Sequence, residues 1–433
     1  MTEVIFSLMM VFTLIGSLAL GVWVSIALFL TGIVGILLFS SAPITSVMAT
    51  NIWSSSAEWS LAALPMFIWM GEILFRSRIS GDLFNGLAPW MRSLPGGLSH
   101  VGIVASGIFA AVSGSSAATC ATVAKVTLPE LKSRGYDEKL VIGTIAGSGT
   151  LGLLIPPSII MIVYGVAADV SITRLFVAGI IPGLMMISLF MGFVAIWSLL
   201  NPAKVPKKDP PTSLIKKIKA SGSLIPVTLL IIGVMGSIYM GIASPTDSAA
   251  VGVVISLILT WIYGDLNWKM FKESLLSAML TSSMIAFILA GAAFLTVAMG
   301  YSNIPMLLAE WITGLGLNNY ALIAVLALFF VIMGCFLDGI SIVVLTTAIL
   351  FPSIQAAGID PLWFGLFLVL VVEMAQITPP VGLNLFVLQG MTGKDIWYLS
   401  IAALPFFLML MLGVILITLF PDIVMVLPRM MYM

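Results

Sequence analysis

The amino-acid sequence predicts an all-α polytopic membrane protein built from two inverted-topology repeats. Of its 433 residues, 61% are hydrophobic and only 8% are charged, whereas a water-soluble domain carries roughly a quarter charged residues. Apolar runs of membrane-spanning length recur along the chain, and the second half repeats features of the first at a fixed offset. We therefore expect a bundle of apolar helices whose outer surface meets lipid.

The apolar runs predict the membrane helices in chain order. A spanning helix needs about 20 predominantly apolar residues, and the candidate spans are 4–20, 22–39, 61–75, 175–200, 224–240, 249–263, 274–299 and 399–420. The first run has no basic start and no small-residue cleavage site, so we expect a membrane helix and not a removable signal. The formal net charge is zero, which gives no electrostatic reason to expect a nucleic-acid partner.

Residues 201–222 are the clearly hydrophilic stretch of the chain. They contain six lysines and several prolines, and the positive-inside rule places such a loop in the cytoplasm. We interpret them as a basic cytoplasmic linker between a first repeat, residues 1–200, and a second repeat, residues 223–433.

The two halves match when the second is shifted back by 223 residues. The matching pairs are Pro129 with Pro352, Gly135 with Gly358, Asp137 with Asp360, and Pro156-Pro157 with Pro379-Pro380. The turn at Gly135 is flanked by three basic residues, whereas the matching turn, 353–363, has none. One turn is therefore expected to face the cytoplasm and the other to face away from it, so the repeats are inverted.

Each repeat contains a segment that resembles a re-entrant hairpin. In the first, at about 100–134, small polar residues interrupt an apolar run; in the second, at about 320–357, the tip is acidic and small. The tips are formed by Ser113, Gly114, Ser115 and Ser116, and by Asp338, Gly339 and Ser341. Unwound backbone at membrane depth must be buried or line a watery cavity. We expect the second arms to begin at Ser116 and Ser341, with their free N–H groups available to a carboxylate.

Each hairpin is followed by a helix broken at a doubled proline, at about 138–168 and 361–391. Proline removes a backbone donor and frees carbonyl oxygens, which suit a hard cation such as sodium. Inverted repeats with broken helices are typical of secondary transporters, so we predict an ion-coupled secondary transporter. The alternative for each small-residue cluster is close helix packing.

Three charged residues in apolar surroundings have open roles. Glu373 lies beside the second helix break and could bind an ion, carry a proton or make a buried structural hydrogen bond. Asp247 is most simply an N-cap. Lys125 lies about 14 Å along the helix from Ser116 at 1.5 Å per residue, which favours a position near the membrane interface.

Five segments resemble the large membrane subunit of tripartite ATP-independent periplasmic (TRAP) transporters, and the resemblance extends in order over essentially the whole chain. They are SGSSAATCATVAKVTLPEL, AGSGTLGLLIPPS, SPTDSAAVG, DGISIVVLTTAILFP and ITPPVGLNLFVLQG. The resemblance implies a sodium-driven, elevator-type importer of a small organic acid in the bacterial inner membrane. It also implies two partners, a small four-helix membrane subunit and a periplasmic substrate-binding protein.

The resemblance further implies sites where hairpin tips meet broken helices. Sodium is expected at Ser115, Ser116, Gly149 and Gly152 in the first repeat, and at Gly339, Ser341, Gln376 and Thr378 in the second. The residues expected near the organic acid are Ser113, Gly114, Ser158, Asp338 and Asn384. Sodium is the coupling ion, and no other cofactor or transition metal is expected.

Two other functions remain open from the residues alone. A stand-alone sodium/dicarboxylate-type permease of the same architecture would need no partners. A membrane enzyme would need a nucleophile and base or a metal cluster, but the sequence has one histidine and no H-E-x-x-H motif. We therefore expect a transporter subunit and not an enzyme.

Overall fold

A computed structural model shows a helical protein. It describes residues 2–206, 213–302, 316–380 and 382–431, and the single positions 304, 306, 307, 310 and 314. Throughout these residues the regular elements are α-helices and short 3-10 turns, without strands. The predicted all-α class is confirmed.

The first half contains helices that follow the predicted apolar runs. They are α1 (Thr2–Ala19), α2 (Val24–Phe39), α3 (Ile44–Ser56), α4 (Ala63–Phe75), α5 (Ile79–Met91), α6 (Ser99–Ser113), α7 (Ser116–Ser133), α8 (Glu138–Leu154), α9 (Ile159–Ala167) and α10 (Ile172–Leu200).

The second half contains a similar series. Its helices are α11 (Leu214–Ser221), α12 (Ile225–Tyr239), α13 (Pro245–Ile262), α14 (Trp268–Tyr301), α15 (Asn319–Gly334), α16 (Gly339–Ala356), α17 (Pro361–Gln376), α18 (Leu383–Thr392), α19 (Ile396–Leu419) and α20 (Asp422–Met430).

Helices of the two halves begin and end at equivalent positions. Adding 223 to the bounds of α7 gives those of α16, and the same shift carries α8 onto α17 with a difference of one residue. It also brings α1, α2, α6, α9 and α10 close to α12, α13, α15, α18 and α19. Each half therefore has two helices joined by a short break, followed by a helix that is itself broken.

One pair of equivalent segments differs between the halves. In the first half, α3 and the segment 59–75 are bent by 57° at a short break, which follows the serine run 54–56. In the second half, α14 continues unbroken for 34 residues. Serine competes for backbone hydrogen bonds and favours helix ends, so the local sequence explains where the first-half helix stops.

Several helices are long and apolar enough to cross a membrane. The described residues contain six such helices, and up to eight spans if each of two bent pairs counts as one. Large apolar side chains remain exposed on them, including Leu199, Ile232 and Leu404. Such a surface avoids water and suits lipid, and the chain is a multi-pass membrane protein.

The centre of the molecule is formed by the first parts of the two broken helices, α8 and α17. Residues 140–154 of α8 and 362–376 of α17 are all buried, and a helix that is buried on every side belongs in a core. Glycines permit the close packing of α8. A Cβ atom built on Gly143 would lie 2.0 Å from the carbonyl oxygen of Ala402, in α19.

Part of the predicted linker is helical. Helix α11 packs on α5, where the Trp90 indole N–H donates to the Ser221 hydroxyl at 2.8 Å and the Ser223 hydroxyl donates to the Asp82 carbonyl at 3.0 Å. The predicted lysines Lys207 and Lys208 lie outside the described residues. The linker is therefore partly a helix held against the first half.

Two helix starts differ from the sequence predictions. The second hairpin arm, α16, begins at Gly339 and not at Ser341. At α13 the N-cap is Ser244, and Asp247 completes a capping box through reciprocal hydrogen bonds with it. The sequence predicts Asp247 as the N-cap. Ser244 takes that position instead, because Pro245 occupies the first helical position, which proline favours, and the Ser244 hydroxyl can then accept from the Asp247 N–H.

Candidate ion and substrate site

The first hairpin tip is a two-residue turn between α6 and α7. Gly114 ends α6 in the left-handed conformation, with φ of 61°, and a Cβ atom there would lie 2.9 Å from the Pro157 carbonyl oxygen. Ser115 caps α7, as expected for a serine before a helix. The Ser113 hydroxyl lies 2.7 Å from that of Thr119. The tip is thus a tight turn in which the Ser113 and Ser115 hydroxyls bond within the hairpin.

The broken helix α8–α9 packs directly against this tip. A Cβ atom on Gly152 would lie 2.4 Å from the Ser115 carbonyl oxygen, and one on Gly149 would lie 2.7 Å from the Cys120 Cβ atom. Only glycine allows such approaches of backbone to backbone and side chain. The predicted residues Ser115, Gly149 and Gly152 are therefore neighbours across one contact between hairpin and broken helix, which we call the first junction.

Beyond the break, α9 begins against the same tip. Ser158 is fully buried and caps α9, and its hydroxyl donates to the Leu153 carbonyl at the end of α8. The Ile159 N–H donates to the Gly114 carbonyl at 3.3 Å. These bonds fix the break and the hairpin tip relative to each other.

The second repeat reaches into the first junction through Glu373. The Ser116 hydroxyl lies 3.0 Å from each carboxylate oxygen of Glu373 and 3.2 Å from the Thr150 carbonyl oxygen. The Leu153 N–H donates to the same carboxylate at 3.0 Å. The sequence identified Glu373 as a candidate but left its role open, and it did not indicate Thr150 or Leu153.

Asn384 also crosses from the second repeat to the first. It is fully buried on α18, and its side-chain N–H group donates to the Ala146 carbonyl at 3.4 Å. A Cβ atom built on Gly149 would lie 3.3 Å from that amide nitrogen. Asn384, predicted to be near the substrate, therefore lies beside residues predicted for sodium.

The second hairpin tip uses an acidic cap. Asp338 precedes α16 and accepts hydrogen bonds from the N–H groups of Ile340 and Ser341 at 3.1 and 3.3 Å, as well as from the Ser341 hydroxyl. A carboxylate is a strong N-cap because it satisfies free donors and the helix dipole favours it. The side chain of Asp338 therefore occupies these two N–H groups. The sequence analysis had predicted that such groups would be free to bind a substrate carboxylate.

The second tip contacts the end of α17. A Cβ atom on Gly339 would lie 3.2 Å from the Gln376 amide nitrogen, so these two predicted residues meet. The Thr378 hydroxyl donates to the Met374 carbonyl one turn earlier, and the Gly382 N–H donates to the Thr378 carbonyl at 3.0 Å. We call this contact the second junction.

Two open cavities flank the helices that carry the junctions. One, of about 710 Å³, lies between the α9–α10 connection, the α3–α4 bend and the start of α13, with Glu58 and Asp169 in its lining. The other, of about 720 Å³, lies between α7, the end of α4 and the α13–α14 connection, with Arg76, Lys125 and Lys269 in its lining. Lys125 is exposed there.

Paired hairpins and broken helices, with polar groups buried at their contacts, define a membrane protein of the transporter class. A family model described as "Tripartite ATP-independent periplasmic transporter, DctM component" matches residues 10–423. The chain belongs to this family of large TRAP permeases. The family predicted from the sequence motifs is confirmed, and so is the expectation of a transporter rather than an enzyme.

Curated relatives agree with this assignment. The chain is 33% identical to the C4-dicarboxylate TRAP transporter large permease protein of Pseudomonas aeruginosa, covering 92% of this chain and 93% of the relative. It is 32% identical to the Rhodobacter capsulatus protein of the same description, covering 99% and 100%. It is 28% identical to the 2,3-diketo-L-gulonate TRAP transporter large permease protein of Escherichia coli, covering 95% and 96%.

A solved structure shares the fold. The Alcanivorax borkumensis YdaH transporter, whose structure is described as having an unusual topology, superposes with a TM-score of 0.62 at 16% identity, covering 92% of this chain and 96% of the other. At that identity the likeness concerns the architecture alone.

Proposed function

We propose that this chain is the large membrane subunit of a sodium-coupled secondary transporter that imports a small organic acid across the bacterial inner membrane. In this proposal it works with a periplasmic substrate-binding protein and a small four-helix membrane subunit. The observation that carries the proposal is the first junction, where hydroxyl, carbonyl and carboxylate oxygens from two repeats are buried together. Such oxygens are the ligands that a hard monovalent cation prefers.

The proposed mechanism is of the elevator type. Helices α6–α9 and α15–α18 carry both junctions, and they would move as a unit against the helices α1–α4 and α12–α14. Cation binding would close each hairpin tip onto its broken helix, so that only the loaded unit crosses the membrane. The two cavities lie where these groups of helices meet, which supports alternate access from opposite sides.

The names of the relatives and the cavity that Lys125 lines support the proposed substrate class. The Pseudomonas and Escherichia relatives are named for a C4-dicarboxylate and for 2,3-diketo-L-gulonate, both small organic acids. Lys125 would provide favourable charge for an acid leaving through this cavity, where Arg76 and Lys269 are paired with Glu72 and Glu273.

Transport in reconstituted vesicles tests the proposal. The chain is reconstituted with its small membrane subunit, and the acid is chosen by screening organic acids for thermal stabilisation of the binding protein. Uptake should require an inward sodium gradient and added binding protein, and should not require ATP, since the sequence has no G-x-x-x-x-G-K-[ST] loop. Uptake that persists with sodium absent on both sides would reject sodium coupling. Uptake without the binding protein would favour the stand-alone permease.

A further inference from the structure

The carboxyl group of Glu373 is enclosed by hydrogen-bond donors. Its side chain is fully buried, and its oxygens accept hydrogen bonds from the Ser116 hydroxyl and the Leu153 N–H. In the part of the chain that the structure describes, no lysine, arginine or histidine forms an ion pair with it. A carboxylate buried at membrane depth is costly unless a positive charge compensates it.

A second electron-rich group lies along α8, about one to two helical turns before the contacts with Ser116 and Glu373. The side-chain oxygen of Asn384 is buried and has no hydrogen-bond partner among the described residues. Its amide nitrogen is held at the Ala146 carbonyl, one helical turn before Thr150. Buried polar atoms almost always have a partner. A bound cation would account for both the unpartnered oxygen and the uncompensated carboxylate.

We propose that Glu373 is the charge-compensating ligand of a monovalent cation at the first junction and that Asn384 adds a neutral oxygen to this site. The inference rests on the sodium coupling proposed above, and it assigns the negative charge of the first-repeat site to the second repeat. One carboxylate among neutral oxygens balances a single positive charge.

The geometry at Ser116 is compatible with this role. Its hydroxyl has one hydrogen and two lone pairs. When the hydrogen is donated to Glu373, the lone pairs and the Thr150 carbonyl oxygen, 3.2 Å away, remain available to a cation. Because Ser116 lies on the hairpin, Thr150 on α8 and Glu373 on α17, an ion bound here would join both repeats.

Two substitutions of Glu373 separate charge from shape. Glu373→Gln keeps the length and the hydrogen-bond acceptor but removes the charge, whereas Glu373→Asp keeps the charge and shortens the reach. The melting temperature of the purified protein is measured at increasing sodium chloride concentrations, with choline chloride holding the ionic strength constant. A ligand that binds the native state raises the melting temperature. We expect the half-maximal sodium concentration to rise about tenfold or more for Glu373→Gln, and less for Glu373→Asp.

The controls make the result decisive. Glu72→Gln removes a partly buried carboxylate of α4 that is paired with Arg76, the residue after that helix, and it should leave the sodium midpoint unchanged. Suppose that Glu373→Gln has the same half-maximal sodium concentration as the wild type and that Glu373→Asp has a higher one. Glu373 is then a neutral hydrogen-bonding residue and the inference is wrong. A wild-type protein without any sodium-specific stabilisation would instead reject sodium coupling itself. An unchanged midpoint for Asn384→Ala would remove Asn384 from the site.

Discussion

The hydroxyl of Ser116 lies 3.0 Å from both carboxylate oxygens of Glu373, although 257 residues separate them in the sequence. Ser116 begins the second arm of the first hairpin, and Glu373 lies one turn before the break of the second broken helix. The contact joins the two repeats at the centre of the protein. The first junction therefore contains residues of both repeats. The sequence analysis had predicted one separate sodium site in each repeat.

Close packing at this junction predicts a sharp difference between two glycine substitutions. Gly152→Ala would place a Cβ atom 2.4 Å from the Ser115 carbonyl oxygen, a backbone atom that cannot easily move. Overpacking of this kind costs about 1–3 kcal/mol, and it would also push the hairpin tip away from the broken helix. We expect a lower melting temperature and strongly reduced uptake.

Gly192→Ala is the matched control for this prediction. Gly192 lies within α10, and a Cβ atom there would have no atom within 4 Å. Alanine in a helix interior is favoured over glycine by roughly 0.5–1 kcal/mol, so this variant should be as stable as the wild type or more so. Equal melting temperatures and equal uptake for Gly152→Ala and Gly192→Ala would show that the close contact at Gly152 is not essential.

Cysteine labelling tests the predicted topology. Residues 132–139 and 204–219 should face the cytoplasm, and 355–362 should face the periplasm, because only the first two segments are rich in basic residues. Lys132→Cys and Gln355→Cys place thiols at exposed positions. The background should lack Cys120 and Cys335, the free cysteines of the chain. Opposite-sided labelling by a membrane-impermeant reagent is expected, and same-sided labelling would contradict the inverted repeats.

The cavity between α7, the end of α4 and the α13–α14 connection gives a prediction about substrate charge. Lys125→Gln removes one positive charge from a cavity that also contains Arg76, Lys269 and two acidic side chains. If an organic acid passes through this cavity, uptake should fall severalfold while sodium-dependent stabilisation stays unchanged, since Lys125 forms no part of either junction. Lys125→Arg keeps the charge and should retain most activity. Equal uptake by the two variants would show that the charge of Lys125 has no role.

The sequence predicted the helices and the breaks better than the contacts. Double prolines and small polar clusters determine local backbone structure, so the breaks after α8 and α17 and the hairpin tips could be located from composition and the 223-residue offset. The offset also makes Glu373 the equivalent of Thr150, on matching helices. It could not show that Glu373 would contact the first repeat, because that depends on how α8 packs against α17.

The second hairpin tip shows another limit of sequence analysis. Its free N–H groups suggested a receptor for the substrate carboxylate, but Asp338 occupies two of them from within the chain. An acidic residue just before a helix is as consistent with a cap as with a binding group. Only the backbone conformation distinguishes the two roles, and here it brings the side chain of Asp338 back onto its own helix.

Serine-to-alanine substitutions at the hairpin tips test the cation sites directly. The Ser116 hydroxyl is buried between Glu373 and the Thr150 carbonyl, whereas the Ser115 hydroxyl caps α7 and the Ser341 hydroxyl bonds to Asp338. Removing one hydroxyl from a charged partner costs about 1.5–3 kcal/mol, or roughly tenfold to hundredfold in affinity. Ser116→Ala should therefore raise the sodium concentration for half-maximal uptake by that factor.

The alternative of simple helix packing predicts a different pattern for the same variants. Alanine removes little volume from a close helix contact and keeps the backbones together, so packing alone would leave the sodium dependence unchanged. Ser115→Ala should lose helix stability of about 1 kcal/mol through the missing cap, with a smaller change in sodium affinity than Ser116→Ala. Ser341→Ala tests the second junction in the same assay. If all three sodium curves overlay the parent at normal expression, the hairpin tips are not cation sites and sodium must bind elsewhere in the protein.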